Sequence, residues 1–303
     1  MLSAALAFVG ALVYGSADFL GGLASRHLRA VVVTATAATS GLAVLLVSLP
    51  VLGGVWAPRD VLWGALSGVT GAVAIGLLYA CLAIGPMSVL SPVTAVVSAV
   101  APILWAALVK GEALSPLGIL GIALAIVAVV LVAFLPTAGF SRPSALGLTM
   151  AFGSGLAIGA FLILIDQTSD ASGVVPLIMN RAVNALITGA VVVALIVIAA
   201  RRGARARDAL IARTTTSTAT SSVVRRAWLL AVACGLVDAV ANLLLLTALR
   251  SGGDLSVVAA LTALYPAGTV ILAALVLRER IAPAQWAGLV LALVAGAILG
   301  IAP

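Results

Sequence analysis

Charge is the scarcest thing in this chain. Of 303 residues only 8% are Asp, Glu, Lys or Arg, where a soluble domain carries about 25%. A chain so poor in charge cannot present a hydrated surface on all sides, so a soluble globular fold is excluded. Metal ligands are scarce too, with one histidine, His27, and two cysteines, Cys81 and Cys234. A His-Glu-x-x-His zinc site needs two histidines. A serine hydrolase would have to use His27, which lies in a turn beside arginines. Both cysteines fall in apolar runs and read as small buried hydrophobes, so neither a disulfide framework nor a metal centre is expected. No Gly-rich Lys-Ser/Thr loop offers itself to nucleotide phosphates, which argues against direct drive by ATP. With no water-soluble segment to host a reaction, the chain is read as a protein without a cofactor that is not an enzyme.

Apolar residues are abundant: 64% of the chain, with a mean hydropathy of +1.31. This is the composition of an integral membrane protein. The net charge of +7 does not point to nucleic acid, because basic residues of membrane proteins collect in cytoplasmic loops and meet anionic lipid. A hydrocarbon layer about 30 Å thick takes roughly 20 residues of helix. Punctuation by Gly, Pro and charge predicts ten spans, at 2–25, 30–52, 60–84, 86–109, 116–136, 144–166, 174–200, 227–249, 255–277 and 283–302. The expected fold class is therefore all-α integral membrane. A barrel is excluded, since its strands would alternate polar and apolar residues. The first run has no positively charged leader and is read as a spanning helix and not as a cleaved signal. One connection is long, "RRGARARDALIARTTTSTATSSVVRR" at 201–226, with seven arginines and a Ser/Thr tract. Its few large apolar residues predict a mobile loop.

The chain carries an internal repeat. "EALSPLGILGIALAIVA" (112–128) aligns with "ERIAPAQWAGLVLALVA" (279–295), so that Glu112, Pro116 and Gly121 meet Glu279, Pro283 and Gly288 at an offset of 167. Phe8, Leu12 and Gly15 meet Phe152, Leu156 and Gly159 at an offset of 144. The difference between the offsets, 23 residues, is about the length of the basic loop. The repeats are placed at 1–136 and 144–302, the second holding the loop 201–226. Five helices per repeat is an odd number, so two tandem copies must enter the membrane in opposite senses, as in many secondary transporters. Twelve arginines follow odd-numbered helices; Arg59, Lys110 and Arg250 follow even-numbered ones. The positive-inside rule then puts loop 201–226 in the cytoplasm of a multi-pass cell-membrane protein with both termini external.

"YGSADFLGGLASR" in the first helix resembles the aromatic-Gly-Ser opening of the drug/metabolite transporter superfamily, EamA type. Lys110-Gly111-Glu112 and Arg278-Glu279-Arg280 are similar to the Leu-Gly-Glu-Arg turn that ends the fourth helix of each repeat in that family. Asn180-Arg181 is similar to the arginine common in its second helix. The likeness spans the chain. It departs at Tyr14, where tryptophan is usual, at Arg278, where a glycine is usual, and at Thr36 and Ala37, where the first copy lacks the arginine. The resemblance implies a secondary carrier of small metabolites, amino acids or drugs, often an exporter.

Charge inside an apolar helix is costly, roughly 2.5–3.5 kcal/mol on the insertion scale, and must face a partner or a cavity. Asp238 lies mid-helix with Asn242 one turn on. Asn180, Arg181 and Asn184 stand in the preceding span, and Arg181 is long enough to reach for Asp238. Two readings stay open: a buried ion pair fixing the two helices, or a polar cavity for solute or proton. Asp18 in the first helix is a candidate proton carrier, or a carboxylate merely wetted from the cytoplasm. Tyr79, Thr94, Ser98, Thr262 and Tyr265 are candidates to line the same cavity. Asp166, at a helix end, is expected to be solvated. Glu112 and Glu279 are expected to cap the helix that follows each, or to gate. Gly64/Gly68, Gly155/Gly159 and Gly296/Gly300 permit close helix contact, the last pair either within the bundle or in a homodimer.

These readings predict a secondary transporter of small metabolites, amino-acid-like solutes or drugs, exported by alternating access. The nearly neutral cavity charge points to zwitterions. The expected partners are the solute, a coupling proton and the lipid bilayer. The alternatives are a membrane scaffold or assembly protein and, behind it, an intramembrane lipid-modifying enzyme.

Overall fold

A computed structural model describes residues 1–84, 87–133, 144–212, 221–278 and 282–301; within these, the side chains of 79–84, 87–89, 91, 92, 206, 208, 221 and 300 lie outside what is described. Among the described residues the regular structure is helical, apart from a single isolated β-bridge. The helices are α1 (Leu2–Ser25), α2 (Ala30–Leu52), α3 (Pro58–Ile84), α4 (Met87–Trp105), α5 (Pro116–Ala133), α6 (Ala145–Asp166), α7 (Val175–Arg201), α8 (Ala206–Leu210), α9 (Ser221–Arg250), α10 (Leu255–Thr262), α11 (Tyr265–Val276) and α12 (Pro283–Ile301). Among the described residues, eight spans are long and apolar enough to cross a membrane, α10 and α11 forming one of them; α5 and α12 are shorter apolar helices, packed on each other. The helix starts and stops follow the punctuation of the sequence. Ser115 caps α5, its Oγ accepting from Gly118 N at 2.9 Å, and Ser144 caps α6, accepting from Gly147 N at 3.0 Å. Such caps take up amide groups that have no intrahelical partner.

The outer faces carry Val47, Leu66, Leu108, Leu186, Leu229 and Leu275, all exposed. So much exposed aliphatic surface suits lipid and not water. All five tryptophans fall near helix ends: Trp56, Trp63 and Trp105 toward one end of the bundle, Trp228 and Trp286 toward the other. Tryptophan gathers at both membrane–water interfaces, so the two groups mark the edges of the apolar band. The interior is built from small residues, among them Ala7, Ala11, Ala95, Ala99, Ala259 and Ala295, fully buried or nearly so. In lipid, helices associate by close van der Waals contact, which alanine and glycine allow. A Cβ on Gly68 would meet the backbone of Asn180 at 2.5 Å, so α3 and α7 can approach as they do only with glycine there.

Helix neighbours come in reciprocal pairs. α1 packs on α9, and α6 on α3. α4 packs on α6, and α1 on α10 and α11. α3 packs on α7, and α9 on α2. α5 pairs with α12, and α2 with α7. The same reciprocity holds residue by residue. A Cβ on Gly15 would strike the backbone of Tyr265 to Thr269, and one on Gly159 would strike Ser98, Ala101 and Pro102. Those two targets stand 167 positions apart, and the two glycines 144.

Two expectations need correction. Where it is described, at 201–212 and 221–226, the loop 201–226 is structured. α8 forms within it, Leu28 and Ile211 pair and are buried, Arg29 N donates to Leu210 O at 2.9 Å, and Ala212 N donates to His27 O at 3.0 Å. The buried leucine and isoleucine anchor this segment, and α9 begins at Ser221, ahead of the expected 227. The span 255–277 is broken. α10 ends at Thr262 and α11 restarts with Pro266 in its first turn, where a residue without an amide hydrogen is tolerated. As expected, the fourth span runs to about residue 109; α4 ends in a π-helical turn, Ala106–Lys110, closed by Gly111 at φ +67. Only glycine takes that conformation cheaply, and it aims Lys110 and Glu112 across the bundle.

Candidate functional site

α1, α3, α6, α7, α9 and the α10–α11 break surround a cavity of ≈ 200 Å³. Tyr14, Asp18, Asn180, Arg181, Asn184, Asp238, Asn242, Thr262 and Tyr265 all reach it, with Gly71, Ile75, Ile158, Phe161 and Leu162 among its apolar lining. Asp238 and Arg181 form an ion pair, with about a fifth of the carboxylate and an eighth of the guanidinium side chain exposed. Neither points at hydrocarbon. Asn242 stands one helical turn from Asp238, and its Nδ2 donates to the Asp238 carboxylate at 3.2 Å and to its backbone carbonyl at 2.8 Å. Asn180 is buried and spends its amide on Ser67 Oγ at 2.9 Å, which ties α7 to α3. Tyr265 reaches the cavity because α11 starts there. Asp18 lies on the cavity wall toward the α1–α2 turn and is exposed.

Several polar atoms of this wall are buried without a hydrogen-bond partner among the described residues: Tyr14 OH, Arg181 Nε, Asn184 Oδ1, Asn242 Oδ1 and Thr262 Oγ1. Leaving such a group unsatisfied costs about 1–3 kcal/mol each. Donors and acceptors both occur in the set, so it suits a solute that carries both. Asp18 and Asp238 are the acidic groups of this wall and Arg181 its basic one.

Other predicted residues fall elsewhere. Thr94 and Ser98 are buried in helix packing; Thr94 Oγ1 donates to Leu90 O and Ala151 O, and Ser98 Oγ to Ala95 O. Tyr79, by its side chain, and Glu279 lie outside the described residues. Asp166 is not merely solvated: it pairs with Lys110 Nζ at 3.0 Å, and its side chain is 10% exposed. Glu112 does not cap α5, which has Ser115. Its carboxylate accepts from Leu255 N at 3.1 Å, Ser256 N at 3.2 Å and Ser256 Oγ at 2.8 Å, so it caps α10 in the other half of the chain. Asp254 holds the N-cap position of α10 but makes no cap bond. Burial pushes the Glu112 carboxyl up, but its bonds from Ser256 and Leu255 and the nearby Lys110 charge outweigh this and hold it below the usual range. Burial, with Glu112 close by, pushes Asp254 the other way.

This end of the bundle is tied shut. Beside the Lys110–Asp166 and Glu112–Ser256 links, buried Asp60 accepts from Ser169 N at 3.0 Å and from Ser169 Oγ. Arg250 donates to Gly173 O at 2.6 Å, Ser172 Oγ at 2.9 Å and Ser169 O at 3.0 Å. The sequence reading missed Asp60 and Arg250 as structural links, since their partners lie 77 to 109 positions away. It also missed Tyr14 as a cavity residue, although Tyr14 and Asp18 stand one helical turn apart on one face.

These features define a class: a multi-pass helical membrane protein with a polar cavity enclosed in its bundle. The chain belongs to the EamA-like transporter family, whose model matches residues 145–301. It is thus of the drug/metabolite transporter kind, a family of transporters and not of enzymes. A solved structure described only as "Crystal structure of protein" is similar over 99% of this chain and 98% of that one, with a TM-score of 0.71 and 16% identity. That likeness supports the fold alone. A comparison with curated proteins found no match.

Proposed function

We propose that the protein is a secondary carrier that exports small zwitterionic solutes, amino-acid-like in size, by alternating access at the cavity of Arg181 and Asp238. The observation that carries this reading is the set of unpartnered buried donors and acceptors around an ion pair deep in an apolar bundle. A solute ammonium would meet Asp18, and its carboxylate would compete with Asp238 for Arg181. Asp18, free of the ion pair and within reach of water, is the place for a coupling proton. The reciprocal helix contacts support two inverted halves with the cavity between them. With the arginine-rich turns in the cytoplasm, the exposure of Asp18 and the tied opposite end fit a state that loads from inside.

Flux assays in proteoliposomes test this. Wild-type protein is expected to move at least one zwitterionic amino acid against a control solute of one sign, and Arg181→Ala to abolish that movement. Equal flux with and without Arg181 would remove the cavity from the mechanism. A scaffold would retain its cellular role in that variant, and an enzyme would form product in detergent, where vectorial movement is impossible.

A further inference from the structure

A second pocket, of ≈ 280 Å³, lies where α7 ends, at the same end of the bundle as the α1–α2 turn. Arg29 and Arg202 line it, with Leu195 and Ile198 of α7 and Ala209 of the docked segment. We propose that this pocket binds the headgroup of an anionic phospholipid.

Four observations carry the assignment. Two guanidiniums from different elements converge on one pocket, and among the described residues neither has a carboxylate or hydrogen-bonded partner. Arg29 is also the N-cap of α2, whose first turn holds no acidic residue, so the positive end of that helix offsets the negative end of α7 at the same pocket. The pocket sits where the apolar helices end, at the depth of headgroups. Its floor is aliphatic and runs on along α7 through Ile198 and Val191, both exposed, in the direction an acyl chain would take. A free phosphate would have no use for that floor, and the lipid uses both parts. Guanidinium suits phosphate because it offers paired donors in a plane. The docking of Leu210 and Ile211 against Arg29 and Leu28 builds one wall, so a bound lipid would tie α2, α7 and the arginine-rich segment together.

Native mass spectrometry of the purified full chain tests the assignment, with phosphatidylglycerol and phosphatidylcholine of identical acyl chains as probes. The wild type is expected to retain phosphatidylglycerol preferentially. The double variant Arg29→Gln/Arg202→Gln should lose roughly thirtyfold of that preference, the effect of two basic groups near a headgroup. Arg202→Gln alone, at an exposed position that does not endanger folding, should lose about fivefold. Arg225→Gln/Arg226→Gln, at the same end of the bundle but outside the pocket, should leave the preference within about twofold. The proposal fails if the pocket variants keep the wild-type preference, or if the Arg225/Arg226 variant loses as much, since diffuse charge would then explain the binding. It fails too if glycerol phosphate displaces the lipid at equal concentration, which would make this a soluble-anion site.

Discussion

The cavity has two unlike walls. One carries Tyr14 and Asp18 from α1 and Asp238 and Asn242 from α9. At the repeat offsets of 144 and 167 these positions correspond to Ile158 and Leu162 on α6 and to Gly71 and Ile75 on α3, and all eight line the same cavity. The backbone contacts on the two sides match, down to Gly15 against α11 and Gly159 against α4. The side chains do not. Every polar group on the first wall has an apolar or absent counterpart on the second. Reciprocal packing constrains the small residues at helix contacts, whereas residues facing the cavity answer only to what fills it. One wall thus became a polar surface while the other stayed an apolar backing.

The sharpest test of this contrast is Arg181→Ala. It leaves Asp238 partly buried without its cation, and removal of one partner from a buried pair costs about 3–5 kcal/mol. Thermal unfolding in detergent should show the largest drop of any single cavity variant, and adding Asp238→Leu should recover most of it without recovering flux. Next in size is Leu162→Asp, which writes the Asp18 position onto the apolar wall. Leu162 is buried, so a carboxylate there should lower stability by roughly 2.5–3.5 kcal/mol. Asp18→Leu, the reverse exchange, should leave unfolding near wild type and reduce flux. A carboxylate equally tolerated at position 162 would dissolve the distinction between the walls.

Away from the cavity, Glu112→Gln should lower stability by about 1.5–3 kcal/mol through loss of charge-assisted bonds to α10. Its carboxyl is held below the ordinary value of 4.5 in the folded protein. Its contribution is therefore complete above pH 4.5 and is lost as pH falls through the lower folded value. The gap between wild type and Glu112→Gln in an unfolding series should narrow as the pH is lowered below 4.5. A gap that widens on acidification would refute the cap. The smallest effect is expected for Thr262→Val. The hydroxyl has no partner among the described residues, so its loss should change stability by less than about 1 kcal/mol, while solute affinity in a binding titration falls a few-fold.

Much was legible from sequence because its causes are local. Proline, glycine, serine caps and charges end apolar runs, so helix limits such as 2–25 and 30–52 match the structure. A stray carboxylate in lipid must have a partner, so Asp238 and Arg181 could be singled out together. The failures have a common source. Glu112 caps α10 across 143 positions, Asp60 holds Ser169 across 109, and Leu28 buries itself against Ile211 in a segment whose composition reads as disordered. Nothing within a helical turn of these residues announces the partner.

The amino-acid sequence by itself determined that this chain lives in lipid as a bundle of helices with a few charges that must be sheltered. Apolar content and backbone punctuation act over one or two turns and need no fold to be read. Only the tertiary structure decided which charges shelter one another, which wall of the cavity is polar and which end of the bundle is tied. Those outcomes depend on distances between residues remote in the chain, and such distances are set when the helices pack.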